Sequence, residues 1–223
     1  MAYPDDLIGK VIQLIVPKNP LTAPNPNLTL TGHGVDLSVP VFSYTPGRPG
    51  VNGAPSIPPK FTDTNVPWNI NFLEYIPGEV TTVKLMRPVL TGPMSGCYLF
   101  RYTVGGSRIA HVGTHDLGPD APLSIRAKSN WKAYLAQSGA TSVVGASPAD
   151  FYDTSELGPA QVGRMGGVPQ VYGLFEPSGN SYAVMLAPMG SDITSRLKMM
   201  LFVAMKRMYL QPWPAISALR TFR

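Results

Sequence analysis

Short apolar runs that alternate with polar residues, cut by glycine and proline, dominate the chain and predict strands. Two strand-like pieces lie at Leu28-Thr29-Leu30 and Val35 to Tyr44, and a longer one at Val80 to Leu90, where Pro88 suggests an edge or a bulge. Residues 97–103 and 108–114 alternate on either side of Val104-Gly105-Gly106-Ser107, a hairpin signature. Thr141 to Ala146 reads as a short strand, and a second hairpin joins Pro169–Phe175 to Ser181–Ala187 through residues 176–180. One amphipathic helix stands out at Ser124 to Gln137, with Ile125, Lys128, Trp131, Lys132 and Leu135 at helical spacing and Ser138-Gly139 as its stop.

Two segments are ambiguous. Leu7, Val11 and Leu14, with Ile8, Ile12 and Ile15, have the spacing of a short helix behind the acidic pair Asp5-Asp6, although their β-branched content suits a strand. Leu197 to Leu210 favours a helix by propensity, but its apolar residues are not confined to one face, as in a buried strand. Residues 17–28 read as an extended connection, and residues 45–60, rich in proline and glycine, as a long surface loop or flap. The sum is an α+β fold, a mostly antiparallel β-sheet or β-sandwich with a few outer helices, in a single domain over residues 1–223.

Composition narrows the function classes. Glycine (22) and proline (24) fit many short elements joined by turns. Charged residues are 14% of the chain, below the usual share of about 25%, so solubility rests on neutral polar groups. The net charge of +5 gathers partly near the C-terminus, yet Lys206-Arg207 is too short for the basic, aromatic-interleaved stripe of a nucleic-acid interface. A single cysteine excludes an intramolecular disulfide, no Cys/His cluster has zinc-site spacing, and no cofactor motif is present. The start lacks the basic region of a secretory signal, and the longest apolar run, Met199 to Met205, is too short to span a bilayer. The expectation is a soluble protein without stable membrane insertion, cytoplasmic or exported by a signal-independent route into a target cell.

The lone thiol carries the candidate chemistry. Cys97 follows the turn residues Ser95-Gly96, with Thr91-Gly92-Pro93 before them. A three-residue loop at Val104-Gly105-Gly106, with Gly106 left-handed in a G1 bulge, sets Thr103 opposite Ser107 and Cys97 opposite Gly113. His111 then shares the face of Cys97 at the diagonal position, ~7–8 Å away between Cα atoms, and Gly113 is expected to leave open space above the thiol. A two-residue loop would put His111 on the other face. An imidazole beside a thiol favours the reactive thiolate and shuttles its proton, while the Ser95-Gly96-Cys97 turn offers backbone donors for an oxyanion. His115, next to Asp116, reads as a solvated strand end, and His33, in Gly32-His33-Gly34, as a loop histidine.

Thr91, the Ser95-Gly96-Cys97 turn and His111, taken in that order, resemble the glutamine deamidases that share the catalytic fold of cytotoxic necrotizing factor, a group that includes Burkholderia lethal factor and the bacterial chemoreceptor deamidase. The resemblance covers Thr91 to Thr114. It implies that Cys97 is the nucleophile, His111 its base, and Thr91 a hydroxyl near the imidazole or the substrate. It further implies a β-rich sandwich with helices outside, a protein substrate carrying a target glutamine, conversion of that glutamine to glutamate without a cofactor, and a toxin-like effector role. Two other readings stay open. One is a papain-like thiol peptidase or amidase, in which the cysteine would start a helix. The other is a non-enzymatic β-rich binding or structural module with Cys97 in its core.

Overall fold

The computed structural model describes residues 4–15, 31–32, 34–50, 55–94, 96–114, 120–152, 168–189, 197–219 and 222. The expected connection at 17–28 and the piece at Leu28-Thr29-Leu30 lie outside them. The elements are β1 (Lys10–Ile15), β2 (Thr31–Gly32), β3 (Gly34–Val39), β4 (Val41–Thr45), β5 (Lys60–Asp63), β6 (Trp68–Leu73), β7 (Val80–Lys84), β8 (Val89–Met94), β9 (Tyr98–Thr103) and β10 (Ser107–Val112). There follow α1 (Pro122–Ser138), β11 (Thr141–Ala146), β12 (Gln170–Phe175), β13 (Ser181–Pro188), β14 (Leu197–Arg207), β15 (Gln211–Pro212) and α2 (Trp213–Ala218). The fold is α+β and mostly antiparallel; only β6 with β8 and β2 with β7 pair in parallel.

Nine strands form one sheet in the order β3-β6-β8-β12-β13-β14-β1-β4-β5. Strands β3 and β4 are first and eighth in that order, yet only Pro40 separates them in sequence, so Val39 and Val41 are at most about 7 Å apart at Cα. The sheet must therefore curl back toward closure, and the Gln13 amide donates to the Pro40 carbonyl at 3.0 Å to tie β1 to the corner. Inside the curl lies an aromatic-rich core of Trp68, Phe72, Tyr172 and Phe202 packed with Ile12, Leu90, Leu174 and Val184.

The other six strands form a second sheet, β15-β11-β9-β10-β7-β2. One face packs on the outside of the first sheet. The layer between them holds Val89, Phe175 and Ala183 from the first sheet, Leu99, Ile109 and Ala146 from the second, and Cys97 from the connection just before β9. The opposite face, with Tyr98, Phe100, Tyr102 and Val112, is covered by Trp131 of α1 and by Trp213 and Ile216 of α2. Strand β9 is thus covered on both sides, so Tyr98-Leu99-Phe100 is buried without a break. Helix α1 begins with Pro122 in its first turn and ends at Gly139, whose φ of 65° closes the helix in the left-handed region.

Several expectations change. Residues 5–15 are a single 3-10 turn at Pro4–Leu7 and then strand β1, so the strand alternative holds. Val80 to Leu90 is two strands in different sheets, β7 and β8, because Leu85–Pro88 turns the chain from one sheet toward the other. Pro88 precedes a central strand rather than marking an edge; its carbonyl accepts the Asn71 amide at 2.8 Å. Leu197 to Arg207 is a strand lying between β13 and β1, with Met200 and Phe202 in the curled core, which explains why its apolar residues keep to no single face. The described parts of residues 45–60 continue the β4–β5 hairpin as an exposed arm, clipped by reciprocal backbone bonds between Arg48 and Ile57 and braced by the Tyr44–Phe61 ring pair.

Candidate functional site

The hairpin register is the one the three-residue loop requires. Thr103 pairs with Ser107 and His111 with Leu99, while Gly105 and Gly106 turn the chain with φ of 58° and 115°. His111 lies on the face turned toward the first sheet, flanked by Leu99 on β9 and Thr81 on β7. Cys97 stands on the connection from β8 of the first sheet to β9 of the second, leading into a strand rather than a helix. Ser95, His33 and His115 lie outside the described residues.

Thr91 and His111 meet across the two sheets. The Thr91 hydroxyl and His111 Nδ1 are 2.7 Å apart, with both side chains buried. That approach depends on a glycine. Gly173 on β12 pairs with Thr91, and a Cβ there would stand 2.1 Å from the Leu99 Cδ1, which belongs to the strand neighbour of His111. Removing the side chain at Gly173 lets Leu99 sink against the first sheet beside the Thr91–His111 bond.

The imidazole is further fixed by Tyr75, whose ring stacks on it at 5.3 Å between centroids and 27° between planes. The Tyr75 hydroxyl donates to the Thr114 carbonyl, and the Thr114 hydroxyl lies 3.5 Å from the Cys97 sulfur. Sequence reasoning did not find these two residues. Tyr75 sits on the β6–β7 connection, which carries no motif. Thr114 lies beyond the end of β10, where strict strand alternation would have turned it away from Cys97.

Gly113 does not leave open space above the thiol. A Cβ there would stand 2.4 Å from the Ile76 carbonyl and 3.2 Å from the Tyr75 ring. The residue is glycine because the 75–79 turn packs onto it, with the Gly113 amide donating to the Glu79 carbonyl and the Gly78 amide to the Gly113 carbonyl, each at 2.9 Å.

Burial sets the chemistry of the pair. His111 is 1% exposed, and desolvation pushes its pKa down to about 3, so the imidazole is neutral near neutral pH. It is therefore neutral at rest and a weaker base than a free imidazole, not a resting imidazolium beside a thiolate. If Nδ1–H donates to the Thr91 oxygen, Nε2 carries the free lone pair; if the hydroxyl donates to Nδ1, the ring proton sits on Nε2. Nε2 is buried with no hydrogen-bond partner, so no such bond joins it to the Cys97 sulfur, which is itself 1% exposed. A buried polar atom left unpaired costs about 1–3 kcal/mol, a penalty that folds avoid unless the atom has a use.

Among the described residues no group of three or more His, Cys, Asp or Glu side chains could hold a metal ion, and no helix is long and apolar enough to cross a membrane. No family model, no curated protein and no solved structure matches the chain.

Proposed function

We propose that the protein is a cysteine-dependent glutamine deamidase acting on a protein substrate, with Cys97 as nucleophile, His111 as base and Thr91 as the residue that orients the base. The observation carrying this reading is the Thr91–His111 Nδ1 bond of 2.7 Å, which leaves the buried Nε2 unpaired on the face it shares with Cys97.

In this reading His111 Nε2 takes the thiol proton as the sulfur attacks the side-chain carboxamide carbon. The tetrahedral oxyanion is met by backbone N–H donors of the turn that carries Cys97. The imidazolium returns its proton to the leaving nitrogen, the C–N bond breaks, and ammonia departs from a thioester. Water, deprotonated by the same imidazole, then attacks the thioester carbon and releases glutamate and the thiol. The Thr91 oxygen, accepting from Nδ1–H, holds the tautomer in which Nε2 is the base. The cysteine leads into a strand, which separates this site from the papain-like arrangement.

A second reading, a β-rich binding or structural module with a core cysteine, is favoured by the burial of Cys97 and its contact with the Thr114 hydroxyl. Incubating candidate target proteins with wild type and with Cys97→Ser separates the two. Deamidation predicts ammonia release and the small mass gain of an amide-to-acid change on a glutamine, both lost in the variant while its circular dichroism is unchanged. Ammonia release retained by Cys97→Ser sinks the mechanism, and backbone cleavage products would point to a peptidase instead.

A further inference from the structure

We infer that Thr114 is the hydrogen-bond donor that stabilises the ionised form of Cys97, and that Tyr75 holds it in place. The inference rests on the same assignment of Cys97 as the nucleophile, but it names a residue which that assignment does not require.

A neutral thiol both gives and accepts a weak hydrogen bond, so the 3.5 Å contact with Thr114 Oγ1 is compatible with either direction in the resting state. A thiolate only accepts. Once the proton has left for His111, the Thr114 hydroxyl must turn its hydrogen to the sulfur, and the bond becomes charge-assisted and stronger. No proton transfers from Thr114; it reorients while the sulfur gains its charge. Beside the apolar side chains of this layer, Leu73, Val89, Leu99 and Phe175 among them, such a donor offsets part of the desolvation that a thiolate would suffer.

Two features hold the hydroxyl at the sulfur. Thr114 is only 3% exposed. Its carbonyl accepts the Tyr75 hydroxyl, which anchors the backbone just past β10. Tyr75 also stacks on His111, so one side chain sets the position of both the base and the donor.

Among the described residues, the ionisable side chains in or against this layer are His111 on β10, Arg101 on β9, whose guanidinium lies over the Phe175 ring, Tyr75 before β7, and Tyr152 after the 3-10 turn at Pro148–Phe151. Glu74 and Glu79 belong to the segment that carries Tyr75, and the ammonium of Lys206 sits over the Tyr152 ring. Replacing Thr114 by an uncharged residue alters none of these charges.

Cys97 is the sole cysteine, so the absorbance of a thiolate near 240 nm, taken as wild type minus Cys97→Ser across pH, reports this group alone and needs no reagent to reach it. Thr114→Val should raise the midpoint by about one to two pH units, the effect of deleting one hydrogen bond to a charged group. Thr114→Ser, which keeps the hydroxyl, should restore the wild-type midpoint. Tyr75→Phe keeps the ring stack but loses the anchor, and should move the midpoint in the same direction by less; it decides the matter should Thr114→Val fail to fold. Equal midpoints in wild type and the folded variants overturn the inference, as does a wild type that shows no thiolate signal at any pH at which it stays folded. Failure of the deamidase reading shows elsewhere, as a thiolate that responds to Thr114 in a protein that converts no glutamine.

Discussion

Acidification tests the buried state of His111 directly. In the folded chain the imidazole resists protonation down to a pKa of about 3, whereas its ordinary value is 6.5. Between these values the unfolded chain binds a proton that the folded chain refuses, so stability is full above the ordinary value and is lost as pH falls through it. From about pH 7 to about pH 4.5 this one group removes about 2–3 kcal/mol, a large part of the 5–15 kcal/mol typical of a domain. His111→Asn eliminates the titration and leaves an amide close to where Nδ1 met Thr91. Urea unfolding of wild type and variant, followed by fluorescence of the buried Trp68 and Trp131, gives the stability difference at each pH. Whatever the variant loses near neutrality, the gap should narrow by about 2–3 kcal/mol on acidification, since all other titrating groups are common to both chains. A gap that stays constant with pH refutes the argument that His111 is held neutral by burial.

Gly173→Ala should destabilise the protein by about 1–3 kcal/mol in the same unfolding assay, because the new methyl meets Leu99 where the sheets touch. Thr91→Val should cost about 1–3 kcal/mol by stranding the buried Nδ1, and should depress glutamine conversion far more than Thr91→Ser does. Arg101→Lys should weaken the β12–β13 turn: the guanidinium donates to the Gly179 and Asn180 carbonyls and the Ser181 hydroxyl at 2.6, 3.1 and 2.7 Å, a fork that one ammonium cannot reproduce. Faster hydrogen exchange at residues 176–180 would report that loss.

The sequence showed most of what is local. The glycine pair at residues 105 and 106 set an odd-length loop, and the loop fixed the register that places His111 on its face. Helix α1 was legible because its proline start, apolar spacing and glycine stop agree. What escaped was set by partners far away in the chain. Val80 to Leu90 reads as one strand because β-branched and apolar residues recur along it, and nothing local tells that β7 and β8 belong to different sheets. Gly113 looked like a gap because its occupant, the turn at residues 75–79, bears no pattern of its own. The strands β5 and β6 and the closure at Pro40 likewise depend on neighbours that sequence distance hides. At the candidate site, the order of Thr91, Cys97 and His111 singled out two residues that do touch, Thr91 and His111, whereas Tyr75 and Thr114 became visible only through ring stacking and a sulfur contact.

The bond between Thr91 and His111 joins side chains from two sheets, with Cys97 on the connection that passes from one to the other. A chain in which only one sheet has formed therefore lacks the Thr91–His111 bond, whichever sheet is complete. The bond needs the two sheets docked, with Leu99 seated over Gly173. In the proposed mechanism the base is thus oriented by the meeting of the sheets and by neither sheet alone.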